Sequence, residues 1–374
     1  MKAKGILKVV LYCVGILVSA FLGGILTISV VAKNPESFGL ISVTKTEKEV
    51  TVVENGISES VDKVYDSVVV VKSKTRNTEA TGTGFIYSKD DNKYYIVTNF
   101  HVISGATAIS IVFTNNVEVK VDYEGGDQFS DIAVLSYITD KELEVAPIGE
   151  STNMNVGDTV FAIGAPLDSD VYSWSVTRGI LSGKDREVRV SSDNSNSNDY
   201  IMNVLQTDAA INSGNSGGPL CNSNGEVIGV TNMKLVTSGV EGMGFAIPIE
   251  EAKVTIDAVI KEEEISRPYI GVHMLDASDR YNQVYYGLSS SSYGVLITEV
   301  TVGKPANVAG LTKGDIIVGI NDVKVTDIAT FRYQLYKYHS GGKIKVKYIR
   351  NGKEYTVDIL LEKNWLFSFF VFVL

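Results

Sequence analysis

The sequence predicts a mostly β protein: two folded domains behind an apolar N-terminal helix. Three observations predict it. Short strand patterns punctuated by Gly, Asn and Asp run from about Val61 to Ile249 and return over residues 268–362, with few helical patterns among them. The length of 374 residues, at roughly 150 residues per domain, asks for two or three domains. Residues Val9 to Ala32 carry no charge at all. Apolar residues at 44% and charged residues at 21% supply real cores and exclude a disordered chain. The 34 Lys+Arg against 44 Asp+Glu give a net charge of −10. That balance excludes a general nucleic-acid binder, which needs clustered cations to neutralise phosphates. Three histidines and two cysteines are too few for the usual three or four metal ligands, so neither metal nor cofactor is expected. Cys13 lies in the apolar segment, far from Cys221, so no disulfide framework is expected either.

Each element follows in order. Residues 1–32 read as a cytoplasmic N-terminus and a membrane anchor, because a helix over Val9–Ala32 rises about 36 Å at ~1.5 Å per residue. Lys2, Lys4 and Lys8 place its start in the cytoplasm. The chain is therefore expected in the cell membrane, single-pass, with everything after Lys33 outside. A cleaved signal peptide is the alternative, with Val30-Val31-Ala32 as a weak cleavage-like site; the length of the apolar stretch favours the anchor over signal cores of ~7–15 residues. Residues 33–58 are polar and mixed in charge, a tether. The first β domain, 59–250, carries strand patterns at Ser67–Lys72, Thr83–Ser88, Tyr94–Asn99, Ala108–Phe113, Ile132–Tyr137, Thr159–Gly164 and Glu226–Thr231. Pro248–Ile265 reads as one helix that Arg267-Pro268 breaks, giving a connector over 251–267. Residues 268–362 form a second β unit with one helical stretch, Asp327–Tyr338. A hydrophobic tail over 363–374 closes the chain, with Trp365–Leu374 too short to span a bilayer as a helix.

Three segments carry chemistry. Thr98-Asn99-Phe100-His101-Val102-Ile103 puts a histidine just after an apolar strand. Ser130-Asp131-Ile132-Ala133-Val134-Leu135 puts an aspartate just before one. Gly214-Asn215-Ser216-Gly217-Gly218-Pro219-Leu220 puts a serine in a glycine-dense turn. The order His, Asp, Ser is one of the known arrangements of the acyl-transfer triad. Serine needs an adjacent base, which His101 supplies with an unperturbed pKa near 6.5. Asp131 then fixes the imidazole tautomer. The glycines let amides approach a substrate carbonyl, so Gly214, Asn215 and Ser216 are the expected oxyanion hole, with the Gly214 and Ser216 amides as its natural donors. Each segment alone is more often a packed histidine, a turn aspartate or a strand connection. Their occurrence together and in order carries the reading. Asp127 is the rival for the acidic role, and Asp131 is preferred because it abuts the apolar strand Ile132–Leu135. Thr81-Gly82-Thr83-Gly84-Phe85 lacks the third glycine of a nucleotide loop and opens a strand, which excludes that use.

The segments TGTGFI (81–86), TNFHVI (98–103), SDIAVL (130–135), QTDAAINSGNSGGPL (206–220) and GFAIPI (244–249) resemble the HtrA/Deg family of trypsin-like serine proteases. The resemblance implies two six-stranded β-barrels with the triad in the cleft between them, and ATP-independent endoproteolysis outside the cytoplasm. Ser213 departs from the proline often found before GNSGG. The extra length between Asp131 and Ser216 is concentrated in the polar run 191–199, within what resembles the family's sensor loop, and Arg186 stands where such proteins carry a regulatory arginine. Small residues around Ala209–Ile211 and Gly244–Ala246 suggest an apolar primary pocket and cleavage after Val or Ala.

Residues 268–362 resemble a PDZ domain through Pro268-Tyr269-Ile270-Gly271-Val272, Gly294–Val300, Pro305–Leu311 and Lys313-Gly314-Asp315-Ile316-Ile317. The resemblance implies that Tyr269, Ile270, Gly271 and Val272 capture the terminal carboxylate of an apolar peptide, the apolar pair lining the pocket, while the peptide adds as a strand. The tail's end, Phe372-Val373-Leu374, resembles such a ligand. The HtrA/Deg resemblance implies unfolded or membrane-associated proteins as substrates, a role in envelope stress response or protein quality control, and a homotrimeric assembly. The alternative is a PDZ-dependent chaperone or scaffold whose protease site is normally inactive.

Overall fold

The computed structural model describes residues 2–33, 57–76, 78–164, 174–190, 200–232, 242–263, 265 and 267–363. The expected tail 365–374, the polar run 191–199 and most of the tether lie outside them. Helix α1 (Lys2–Lys33) is a unit by itself. Its stretch Leu11–Val31 is long and apolar enough to cross a membrane, as an anchor or a signal sequence would be.

The second unit opens with α2 (Ile57–Tyr65), which corrects the end of the tether. Ile57, Val61 and Tyr65 recur at helical spacing and pack on the first core, and Val64 is wholly buried there. Next come β1 (Val68–Lys74), β2 (Glu79–Asp90), β3 (Lys93–Thr98), the short helix α3 (Phe100–Ile103), β4 (Ala108–Val112), β5 (Glu118–Lys120), β6 (Asp122–Asp127) and β7 (Ile132–Ile138). The strands form one antiparallel sheet in the order β5-β4-β1-β2-β3-β7-β6. Only Val121, whose amide donates to Ile109, separates β5 from β6 in the chain. The two ends of the order are therefore one bent strand, and the sheet comes round on itself as a six-strand barrel would.

The second lobe holds β8 (Thr159–Gly164), β9 (Ser175–Val190), β10 (Tyr200–Thr207), β11 (Pro219–Asn222), β12 (Val227–Thr231) and β13 (Gly244–Pro248). They close a barrel in the order β10-β13-β12-β11-β8-β9. β12 and β13 are buried at every position, which is why they read as continuous apolar runs. One core cluster joins Phe85, Val97 and Val134 of the first lobe to Phe161, Val230 and Phe245 of the second. Each such side chain contributes roughly 1.5–3 kcal/mol on burial. Trp174 ties the lobes again, its indole donating to the Val68 carbonyl at 3.2 Å.

Helix α4 (Ile249–Ile260) is shorter than expected. Pro248 is its N-cap, its buried face is Ile249, Ala252 and Ile256, and it stops before Glu262, which takes a left-handed φ of 55°. Beyond it come β14 (Pro268–Tyr269), β15 (Val272–Asp276), α5 (Arg280–Tyr286), β16 (Val295–Val300), α6 (Pro305–Val308), β17 (Ile316–Ile320), β18 (Val323–Lys324), α7 (Ile328–Leu335), β19 (Lys343–Arg350), β20 (Lys353–Leu360) and β21 (Glu362–Lys363). The main sheet runs β15-β16-β17-β19-β20, with β15 at its edge, and β14 pairs with β21. Ile297, Ile317, Phe331, Leu335 and Val346 fill the core of this half. α7 is also shorter than the expected 327–338: Asp327 is its N-cap, in a capping box with Thr330, and Tyr336 is its C-cap.

Candidate active site

His101 sits in α3, directly after β3, and Asp131 directly before β7. β3 and β7 pair antiparallel with Thr98 opposite Ala133, so the end of one strand lies beside the start of the other. Asp131 adopts φ 52°, a left-handed conformation that Asp tolerates better than most residues. There its carboxylate turns back on α3. Oδ1 accepts the His101 amide at 2.8 Å and Oδ2 meets His101 Nδ1 at 2.6 Å. The Asp131 carbonyl accepts from the Phe100 amide at 3.1 Å and from the Asn99 side chain at 2.9 Å. The carboxylate is 3% exposed while the imidazole is 29% exposed. A buried acid thus holds an accessible base.

Ser216 lies in the turn before β11. Gly217 in this turn has φ 85°, and a Cβ there would meet the Thr83 carbonyl, Thr98 Oγ1 and the Asn99 amide. Only glycine lets the turn press so closely on the strand that leads to His101. The Ser216 carbonyl accepts the Thr83 amide at 2.8 Å, and Thr83 Oγ1 donates to the Gly214 carbonyl at 2.6 Å. Gly82 is wedged in turn: a Cβ there would lie 2.7 Å from Val102 and 3.1 Å from the Ser216 carbonyl. Val102 follows His101, so the serine turn and the histidine segment meet at β2, while the aspartate segment joins the histidine segment through β3 and α3. The turn is closed from behind by Gly217 N–H donating to the Thr231 carbonyl at 2.9 Å and Thr231 N–H donating to Gly218 at 2.8 Å.

One expectation needs correction. The Asn215 amide donates to the Asn212 carbonyl at 3.0 Å, so it is spent on the turn and is no oxyanion donor. Gly214, with φ 101°, and Ser216 remain the candidates.

Sequence reasoning missed two contributors. Asn232, wholly buried at the end of β12, donates through Nδ2 to Asp131 Oδ2 at 2.8 Å. That oxygen therefore receives two side chains, and the carboxylate has little freedom to turn. No local pattern announces Asn232, because its partner lies in the other lobe. The second contributor involves Asp127, the rejected rival. Its Oδ2 accepts the Ser130 amide at 2.8 Å, one residue before Asp131. It is also bound by Arg267, whose Nε donates to Oδ1 at 3.3 Å and whose Nη2 pairs with Oδ2. Burial alone raises the Asp127 pKa; the Arg267 charge, with hydrogen bonds from Arg267 and Ser130, outweighs it and holds the carboxyl below the usual range. The Arg267 guanidinium lies 5.3 Å from the Phe129 ring centre and 4.8 Å from that of Tyr336. A cavity of about 340 Å³ opens beside it, between the second barrel and α7.

The other expected residues fall as follows. Arg186 is within the β9–β10 ladder opposite Val204, with its guanidinium over Gly183, in a strand and not in a loop. Tyr269 pairs with Glu362 in the β14–β21 ladder. Ile270 is 2% exposed and belongs to the core cluster, so it supports the loop from beneath and does not line an open pocket. Gly271 has φ 81° and lies against Lys304, and Val272 begins the edge strand. Ile211, expected at the primary pocket, packs where a Gly244 Cβ would stand, 2.6 Å from it.

Comparison with known proteins agrees with this geometry. Residues 82–230 match the model of the trypsin-like peptidase domain and residues 268–361 that of the PDZ domain. The chain is 41% identical to the serine protease Do-like HtrA of Bacillus subtilis, over 76% of this chain and 64% of that protein. The chain thus spans less than two thirds of that relative. It is 35% identical to the protein of the same name from Lactobacillus helveticus, over 92% and 83% of the two chains. Among solved structures, the serine endoprotease from Yersinia pestis matches with a TM-score of 0.60 at 30% identity, covering 83% of this chain and 98% of that one. The HtrA-type protease AlgW, solved with a decapeptide, matches with a TM-score of 0.62 at 27% identity, over 83% and 99%.

Proposed function

We propose that this chain, which belongs to the HtrA family of trypsin-like serine proteases, is a membrane-anchored serine endopeptidase acting outside the cytoplasm on unfolded or regulatory proteins. The observation that carries the reading is the 2.6 Å contact of Asp131 with His101 Nδ1, made by a buried carboxylate that Asn232 also holds. With Nδ1 committed to Asp131, the other ring nitrogen is the one left to act as base. Ser216 Oγ would attack the scissile carbonyl while His101 takes its proton. His101 would then return the proton to the leaving amine, and water would release the acyl group in the same way. The amides of Gly214 and Ser216 would face the oxyanion, each such donor contributing about 3 kcal/mol.

The remaining roles rest on family likeness and on placement. α1 would anchor the protein, Tyr269–Val272 would take the C-termini of apolar peptides, and Arg186 would relay regulation in a homotrimer that serves envelope stress response or quality control. Casein hydrolysis tests the core of this reading. Ser216→Ala should lower the rate by about 10⁵-fold or more, with and without an apolar C-terminal peptide. Equal rates for the two proteins overturn the assignment and leave the chaperone or scaffold.

A further inference from the structure

Helix α5 (Arg280–Tyr286) buries none of its residues. An isolated helix this short does not hold itself together in water, and its support comes from one side only. Asp279 caps its start and Gly287, in the left-handed conformation, ends it. Asn282 Nδ2 donates to the carbonyl of Asp276 at 3.0 Å and Gln283 Nε2 to that of Ala277 at 3.2 Å. The polar side of the helix is therefore fastened to the end of β15. Its other side presents Tyr281, Val284 and Tyr285, exposed by 74%, 79% and 69%. The rings of Tyr281 and Tyr285 are stacked at 6.0 Å, and Tyr286 meets Tyr285 edge-on at 4.9 Å. Large apolar rings kept in water on a helix with no buried face are a surface awaiting a partner.

The position of the helix names the partner. β15 is the edge strand of its sheet and begins just after Gly271. A peptide that pairs antiparallel with β15, its terminal carboxylate at Tyr269–Val272, runs backwards toward Asp276. β15 has five residues, and a paired strand matches it nearly one for one. The chain upstream of that pairing emerges at the end of β15 to which α5 is fastened. We propose that the Tyr281–Tyr285 face is an extension of the peptide groove, which takes aromatic or aliphatic side chains lying just upstream of the strand-paired C-terminal segment of an unfolded polypeptide. This rests on the carboxylate-capture reading of Tyr269–Val272.

Fluorescence anisotropy with the full chain separates the two ideas. The probes are a labelled tetrapeptide ending in Val with a free carboxylate, a decapeptide with the same last four residues and two upstream Phe, and that decapeptide with Ser replacing both Phe. The Phe decapeptide should bind about tenfold more tightly than the other two, in line with an aromatic pair. Replacing both rings, Tyr281→Ser with Tyr285→Ser, should remove that gain and leave tetrapeptide binding unchanged; both positions are exposed, so the fold is not at stake. Equal binding of all three probes, or a Phe gain that survives in the variant, overturns this proposal alone. Failure of every probe to bind overturns the carboxylate-capture reading and this one with it.

Discussion

The turn at Ser216 and the edge strand β15 are built in opposite ways. Around Ser216 the backbone is committed to internal partners, with Asn215 and Ser216 only 1% and 5% exposed. Along β15 no residue is fully buried, the strand is an edge, and the helix after it buries nothing. Acyl transfer needs atoms fixed to within fractions of an ångström, and a turn pinned by hydrogen bonds to β2 and β12 provides that. Recognition of varied sequences needs an incomplete edge that the ligand completes. A substitution in the turn should therefore damage the fold and the chemistry together, whereas one at the edge should alter binding alone.

Gly217 is where the largest effect is expected. Gly217→Ala must place a methyl against the Thr83 carbonyl and Thr98 Oγ1 while holding φ at 85°, so the turn has to move away from β2. Peptide hydrolysis should fall by roughly 10²–10³-fold, the scale of losing an oxyanion donor, and the urea midpoint should fall with it. Activity within a few-fold of wild type would show that the turn does not need its contact with β2.

The joint between the halves is next. Arg267 and Asp127 are both mostly buried, and removing one partner of such a pair strands the other charge, at a cost of about 3–5 kcal/mol. Arg267→Gln and Asp127→Asn should each lower stability by that order, and the double variant by less than the sum. Because the folded pKa of Asp127 is depressed, its contribution is present above about pH 4 and lost as pH falls through the lower folded value. The stability gap between wild type and Asp127→Asn should narrow in acid. A gap independent of pH would mean that the carboxylate charge plays no part.

Legibility in the sequence followed how local each interaction is. β8 was readable with its bounds, and β3 and β7 to within a residue, because each is an apolar run ended by turn residues. His101, Asp131 and Ser216 were readable because each sits in a short pattern at a strand end. The β9–β10 hairpin was not read as strands: β9 alternates between half-buried and exposed positions over much of its length and is broken by Gly179 and Gly183. α5 escaped for a different reason: its seven residues are too few for the Tyr281, Val284, Tyr285 spacing to stand out as a helical period. Asn232 and Arg267 act across 101 and 140 residues of chain on Asp131 and Asp127. Only the folded topology brings such pairs together.

The smallest expected effect concerns Asp327, which serves both halves at once. Its Oδ1 accepts the Thr330 amide at 2.8 Å as the N-cap of α7, and its Oδ2 pairs with Arg189 of β9 at 2.9 Å. Burial works to raise its pKa, but the Arg189 and Thr330 hydrogen bonds keep it low. Asn caps a helix about as well as Asp but has no charge to offer Arg189, so Asp327→Asn isolates the ion pair. Arg189 is 45% exposed, and water and salt screen such a pair to about 0–1 kcal/mol. Asp327→Ala loses the cap as well and should cost about 1 kcal/mol more by urea unfolding. If Asn costs as much as Ala, the ion pair and not the cap is what holds the start of α7 against the second barrel.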